Sequence, residues 1–189
     1  MSTSHPTPGS RAPNDVYLTG FPAAIETGRF TLRELTMADV SERYLQWLSD
    51  PEAQKWIAAA AEVQRMADLK DYVAQRVGRV DVLFLGIFDK STGAHIGNIK
   101  YEPVFPDQGS AVMGILVGDP SFRGKGVFAE VFGASAAWLK KERRITHIRL
   151  GVEKAHEAAL KAYQNAGFVP DLALQAYSRP DVLMMVFYI

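Results

Sequence analysis

The order of apolar and polar residues along the chain predicts alternating strands and helices from residue 29 onward. Residues 29–34 (RFTLRE) alternate apolar and polar side chains, as a half-buried strand does. Apolar residues then recur at helical spacing, which predicts a helix that ends near Pro51. Thr36 is placed to cap the start of this helix. A second amphipathic helix is predicted over residues 62–77.

The middle of the chain has the pattern of a sheet. Residues 82–88 and 94–101 are two apolar or alternating runs separated by a polar turn, which predicts a β-hairpin. Residues 110–117 (SAVMGILV) form a third strand, in which Gly114 is a candidate bulge. This strand is predicted to end at Gly118, the first residue of a Gly-Asp-Pro turn signal.

The last third of the chain returns to helical spacing. A helix is predicted over residues 127–141, a strand over 145–152, an alanine-rich helix over 155–166 and a final strand over 182–189. The resulting order, β-α-α-β-β-β-α-β-α-β, predicts the fold class α/β, with a mixed sheet and helices on both of its faces.

The composition is that of an ordinary globular chain, with 189 residues, of which 48% are hydrophobic and 22% charged. We expect a single folded domain over residues 16–189. Residues 1–15 are rich in Ser, Pro and Thr and lack an apolar stretch, which predicts a disordered tail and not a signal peptide. No segment is long and apolar enough to span a membrane, so we expect no membrane partner and a cytoplasmic location.

Charge and cysteine content exclude several function classes. The 21 basic residues are balanced by 21 acidic ones, so no excess positive field attracts a nucleic acid. The chain has no cysteine, which excludes disulfides, thiolate metal sites and a cysteine acyl-enzyme. We expect no bound metal.

A short glycine-rich segment stands between a predicted strand and the predicted helix over 127–141. It consists of Arg123, Gly124, Lys125 and Gly126, here called the glycine loop. Backbone N–H groups at a helix start attract anions, so a pyrophosphate fits there. A plain turn with two solvated cations is the alternative. Lys125 is not followed by Ser or Thr, and the glycine spacing is not that of a dinucleotide fingerprint, so ATP, GTP and NAD are disfavoured.

Two motifs resemble the GNAT superfamily of acyl-CoA N-acyltransferases. The glycine loop, together with Val127, is similar to the coenzyme-binding loop of the family. The last position of the family's motif is Gly or Ala, and here it is Phe128. The same departure occurs in a branch resembling ribosomal-protein alanine acetyltransferases. Residues 152–168 resemble the family's following strand, helix and Gly-Phe ending. Residues 44–52 also resemble a subgroup associated with amino-sugar and N-terminal-alanine acetylation. The resemblance extends over residues 29–189.

The resemblance implies a mostly antiparallel sheet with a central splay, and acetyl-CoA as a cosubstrate lying against the exposed backbone of the third strand. A backbone N–H near Leu116 or Val117 would polarise the thioester oxygen. The implied coenzyme-binding residues are Ile115, Leu116, Val117, Arg123, Gly124, Lys125, Gly126, Val127, Phe128, His156 and Tyr163.

Proton transfer has few candidate residues under the same resemblance. Tyr163 stands where the family often has a phenol that protonates the departing thiolate; simple packing of the helix is the alternative. His156 stands at a position where the family commonly carries an asparagine, and a surface histidine is the alternative. Val112 and Gly151 occupy positions where many relatives have a carboxylate. The remaining acidic candidates, each read as a solvated charge, are Glu102, Asp107 and Glu153.

Without an identified general base, we expect an acceptor amine of low pKa, such as an amino sugar or a protein N-terminus. The partner is then a small-molecule or peptide amine, and the enzyme a monomer or homodimer. A non-catalytic acyl-CoA-binding or sensing module of the same fold is the alternative function. The basic run over residues 140–144 is interpreted as solvated; a site for the adenosine 3′-phosphate or an acidic partner is the alternative. Trp47 and Trp138 are interpreted as packing residues, and Trp56 is a candidate for the acceptor pocket.

Overall fold

The computed structural model describes residues 22–189, so the tail predicted over residues 1–15 lies outside the described residues. The strands are β1 (Ile25–Glu26), β2 (Phe30–Glu34), β3 (Leu83–Asp89), β4 (His95–Phe105), β5 (Ser110–Val117), β6 (His147–Glu153), β7 (Val169–Pro170) and β8 (Val182–Tyr188). The α-helices are α1 (Glu42–Ser49), α2 (Pro51–Trp56), α3 (Ala58–Glu62), α4 (Met66–Ala74), α5 (Val127–Arg143), α6 (Glu157–Asn165) and α7 (Leu172–Gln175).

All eight strands belong to one sheet, in the order β1-β2-β3-β4-β5-β6-β8-β7. Every neighbouring pair is antiparallel except β5 and β6, which run parallel. A parallel pair needs a crossover, and α5 provides it. The predicted α/β class with a mixed, mostly antiparallel sheet is therefore confirmed.

The sheet separates two hydrophobic cores because successive side chains of a strand point to opposite faces. In β3, Leu83 and Leu85 pack in the core that contains α5, whereas Phe84 packs in the core that contains α1 and α4. Helices therefore cover both faces of the sheet. The core with α5 includes the side chains of β5 and β6, so it supports the strands that diverge at the site described below.

The predicted helix starts differ from those observed. Thr36 begins only a short 3-10 helix, and its N–H donates to the Asp39 carboxylate at 2.8 Å. The N-cap of α1 is Ser41, whose hydroxyl accepts the N–H of Tyr44 at 3.2 Å. The helix predicted over residues 62–77 is present as the shorter α4, which begins only at Met66 because the chain is extended at Val63; α3 is an additional helix before it.

The predicted bulge at Gly114 is wrong, since that residue pairs regularly with Lys100. The irregularity lies on β4. Tyr101 pairs with Met113 and Val104 pairs with Ala111, so two β4 residues lie opposite the single residue Val112 of β5. One of the two is Pro103, which has no N–H to donate to the ladder.

Residues 140–144 are exposed, as the solvated interpretation predicts, except for Arg143. Arg143 is only 4% exposed. Its guanidinium donates to the carbonyl of Val80 at 3.3 Å and lies 5.7 Å from the centre of the Trp138 ring. Burial lowers the pKa of Arg143.

Candidate active site

The parallel pairing of β5 with β6 stops halfway along the two strands. Their last paired residues are Val112 and Arg149. Beyond these, β5 stays paired with β4 as far as Val117, and β6 stays paired with β8 as far as Glu153. Because each strand is held by its outer neighbour, the inner edges diverge and leave unpaired backbone facing a wedge-shaped gap. An extended ligand can hydrogen-bond to such an edge as an added strand would.

The gap opens into a cleft of about 740 Å³. Its floor is the end of β5, one wall is α6, and the opposite wall is the segment of α2 and α3. Ala159 and Ala162 are among the α6 residues that line it, and these short side chains leave room beside the helix. The first turn of α5, at Phe128, and Gly124 of the glycine loop line it too.

The glycine loop has the backbone of an anion site. Gly124 and Gly126 have φ values of 69° and 72°, a conformation that side chains with a Cβ rarely adopt. A Cβ on Gly124 would meet no atom within 4 Å, so this backbone is open to a ligand. Within residues 22–189, the amides of Gly124, Lys125 and Gly126 have no hydrogen-bond acceptor. Together with the N-terminus of the 17-residue α5, they favour a bound phosphate.

Two arginines hold this loop in place, and neither function was evident in the sequence. Arg123 donates to the carbonyl of Val117 at 3.1 Å and to the carboxylate of Asp50 at 2.9 Å, so its guanidinium ties the loop to β5 and α2. Arg29 donates to the carbonyl of Lys125 at 3.0 Å and to Glu130 at 2.7 Å. The loop is thus braced from both sides before any ligand binds.

Tyr163 lines the cleft from α6. Its ring makes a T-shaped contact with Phe128, with centroids 5.1 Å apart, and a tilted contact with Phe168 at 5.7 Å. Burial raises the pKa of Tyr163 to about 12, and the hydroxyl has no hydrogen-bond partner in the described part of the chain. The phenol is therefore protonated at neutral pH and free to donate its proton.

His156 lines the same cleft at the N-cap of α6. Its imidazole stacks on the indole of Trp56, with ring centroids 4.6 Å apart and an angle of 19° between the planes. Burial lowers the pKa of His156, partly opposed by the nearby Glu52 carboxylate. The ring is therefore neutral at pH 7 and held between α2 and α6.

The acidic residues considered from the sequence are separated in the fold. Glu153 lines the cleft, but its carboxylate accepts a hydrogen bond from Arg179 at 2.6 Å. Glu102 lies outside the cleft lining, where burial alone would raise its pKa but hydrogen bonds from Lys100 and Arg76 lower it. Asp107 lies in a short 3-10 helix after β4, also away from the cleft.

The cleft brings together most of the residues that the sequence singled out. They are Ile115, Leu116, Val117, Arg123, Gly124, Phe128, His156 and Tyr163, along with Trp56. Lys125 and Gly126 do not line it, and the side chain of Val127 is buried in the core beneath. Apart from Trp56, sequence reasoning missed the wall from Ala53 to Ala61, whose only signal was a run of small residues next to that tryptophan.

Comparisons with known proteins agree with this architecture. A family model described as "Acetyltransferase (GNAT) domain" matches residues 29–169. Among solved structures, the ribosomal L7/L12 alpha-N-protein acetyltransferase RimL in complex with coenzyme A superposes with a TM-score of 0.75. The two chains are 17% identical, and the match covers 88% of this chain and 98% of that one. A search of curated protein sequences finds no match.

Two further solved structures have the same fold. The microcin C7 self-immunity acetyltransferase MccE, in complex with acetyl-CoA and AMP, has a TM-score of 0.73 at 18% identity, covering 93% of this chain and all of that one. The ribosomal-protein-S5-alanine acetyltransferase from Vibrio fischeri has a TM-score of 0.69 at 15% identity, covering 87% and 96%.

Two kinds of feature are absent from residues 22–189. None of the helices in this range is long and apolar enough to cross a lipid bilayer. No group of three or more His, Asp or Glu side chains in the same range could hold a metal ion.

Proposed function

The chain belongs to the GNAT acetyltransferase family, and from that premise we propose that it transfers an acetyl group from acetyl-CoA to a primary amine of low pKa. The observation that carries the proposal is the gap between β5 and β6, with the glycine loop at one end and the Tyr163 phenol in its wall. The gap accepts an extended arm, the loop accepts a pyrophosphate, and the phenol can protonate a thiolate. Structural relatives solved with coenzyme A and acetyl-CoA support the same arrangement.

We propose direct attack of the amine on the bound thioester. A cysteine acyl-enzyme is excluded because the chain contains no cysteine. Initial rates measured with both substrates varied should therefore give intersecting lines, as for a ternary complex. Mass spectrometry of the enzyme after incubation with acetyl-CoA alone should find no acetylated form. Parallel lines together with an acetyl-enzyme would contradict direct attack.

The preference for a low-pKa amine rests on the charges around the cleft. The lining carboxylates are Glu52 and Glu153, and each forms an ion pair with a cation, so neither is an unpaired carboxylate. Deprotonating a lysine ammonium of pKa ~10.4 at pH 7 costs about 4.6 kcal/mol, whereas an α-ammonium of pKa ~8 costs about 1.4 kcal/mol. A protein N-terminus or an amino sugar is therefore the favoured acceptor.

The test has two stages. Calorimetry should first detect binding of acetyl-CoA. Release of free thiol is then measured with an alanine-initiated peptide, the same peptide N-terminally blocked but containing a lysine, and a panel of amino sugars. We expect turnover with the free N-terminus or an amino sugar and little with the blocked peptide. Preference for the lysine would refute the low-pKa acceptor, and binding without turnover on any amine would favour the non-catalytic acyl-CoA-binding module.

The setting we propose for the reaction follows from composition. The balanced charge supports an enzyme that works without nucleic acid. We propose a metal-independent cytoplasmic monomer or homodimer, whose domain extends over residues 16–189. Chromatography with light scattering measures the oligomeric state directly.

A further inference from the structure

The aromatic stack across the cleft mouth is unlike an ordinary surface contact. The His156 imidazole lies against the Trp56 indole, so its plane is set by a residue on the opposite wall. Within residues 22–189, neither ring nitrogen of His156 has a hydrogen-bond partner. The ring is therefore oriented by stacking while its nitrogens stay available to a ligand or a water molecule.

His156 and Tyr163 share one face of α6. They are two helical turns apart in sequence, which corresponds to about 10 Å along the helix axis. Ala159 lies between them on the same lined face and leaves space there. One wall of the cleft thus carries a neutral imidazole and a protonated phenol, and the lining residues between them on α6 include the short side chains of Ala159 and Ala162.

We propose that His156 is the general base of the reaction, taking a proton from the acceptor ammonium directly or through one water. This inference rests on the proposed acetyltransferase function. The deprotonated nitrogen attacks the thioester carbon, a C–N bond forms and the C–S bond breaks, and Tyr163 gives its proton to the thiolate. The nitrogen loses a second proton as the amide forms, and that proton restores the phenol through solvent. The net products are the amide, free coenzyme A and one proton, which leaves from His156.

The charges that face His156 are compensated. On α2, Glu52 and Lys55 form an ion pair of 2.7 Å. At the end of β6 and before β8, Glu153 and Arg179 form another of 2.6 Å. Burial is then the main influence on the imidazole and keeps its pKa below the ordinary 6.5. The pKa of such a base is at least about 1.5 units below that of an α-ammonium and about 4 units below that of a lysine ammonium. The smaller difference makes proton transfer from a low-pKa acceptor less unfavourable.

The experiment compares pH profiles of kcat and kcat/KM with saturating acetyl-CoA, using the acceptor that the wild type turns over best. The variants are His156→Asn, which removes the titrating group, and His156→Phe, which keeps a ring for stacking on Trp56. The matched control is His147→Asn, because His147 lies at the start of β6, outside the cleft lining, and its pKa is also lowered by burial. Thermal unfolding and acetyl-CoA calorimetry verify that each variant folds and binds.

The wild type should keep its activity at the ordinary imidazole pKa of 6.5 and lose it only at a lower pH, because burial lowers the pKa of His156. Both His156 variants should lose about tenfold in kcat at pH 7 and about 10²-fold at pH 6, with the acidic limb moved up to about pH 8, the pKa of the acceptor itself. Above that pH their activity should recover toward wild type, because the amine is then already deprotonated. His147→Asn should keep the wild-type profile.

Other outcomes overturn the assignment. An unchanged profile in His156→Asn, or a loss that is equal at every pH, would mean that His156 does not transfer the proton. An unchanged profile with weaker acetyl-CoA binding would instead assign His156 to coenzyme binding. Failure of the wild type to release thiol with any amine would refute the proposed function itself, and with it this role.

Discussion

Replacing Tyr163 by Phe tests the proposed general acid while sparing the ring contacts. Burial raises the pKa of Tyr163 to about 12, so the phenol carries its proton at pH 7. If the phenol donates it, Tyr163→Phe should lower kcat by about 10²- to 10⁴-fold, equivalent to about 2.7–5.4 kcal/mol in the barrier. KM for acetyl-CoA should change little.

The same substitution should hardly affect stability. The ring contacts with Phe128 and Phe168 remain, and the hydroxyl has no hydrogen-bond partner in the described residues whose loss would be felt. The free energy of unfolding in urea should therefore change by less than about 0.5 kcal/mol. A drop in kcat without a drop in stability separates chemistry from packing.

The assay follows thiol release at saturating acetyl-CoA for wild type, Tyr163→Phe and Tyr188→Phe. Tyr188 is the matched control, because it is 70% exposed at the end of β8 and does not line the cleft. We expect wild-type kcat in the control. A kcat of Tyr163→Phe within about twofold of wild type would refute the acid role and leave the tyrosine as a packing residue, with solvent protonating the thiolate.

Two further predictions concern the glycine loop and acid stability. Calorimetry should show acetyl-CoA binding at least about tenfold weaker in Gly124→Val and in Gly126→Val, since a β-branched residue at positive φ distorts the loop. The control is Gly78→Val, at a φ of 76° away from the cleft, which should not weaken binding. Equal affinity in all three variants would contradict the phosphate site. Burial alone would raise the pKa of Asp39, but hydrogen bonds, chiefly the one from Arg33, lower it to about 2. The ionised carboxylate therefore stabilises the fold above pH 3.8 by at most about 2 kcal/mol. This stabilisation is lost as the pH falls through 2. Urea unfolding of Asp39→Asn between about pH 5 and pH 2 should then depend less on pH than wild type; equal slopes would contradict the assignment.

Local signals in the sequence predicted the regular elements of the fold. Strands β3 to β6 were marked by apolar or alternating runs, and helix α5 by apolar residues at helical spacing after Gly126. Short elements were missed: β1 and β7 have two residues each, too few to display a period. The start of α4 was predicted four residues early, because the extended residue Val63 leaves the apolar spacing of the segment almost unchanged.

The sequence by itself determined the chemistry that the cleft can offer. The glycine loop precedes a long helix, and His156 and Tyr163 are spaced to share a helix face, so their relation follows from helix geometry alone. The absence of cysteine likewise restricts the mechanism, because no thiolate is present to carry the acetyl group.

Only the tertiary structure decided how these parts combine. The gap exists because β5 and β6 pair over three residues and then follow different outer neighbours. Glu130 binds Arg29 across 101 residues, and His156 meets Trp56 from the opposite wall. Periodicity records which face of an element is buried, but strand register and contacts between distant elements depend on the packing of the whole chain.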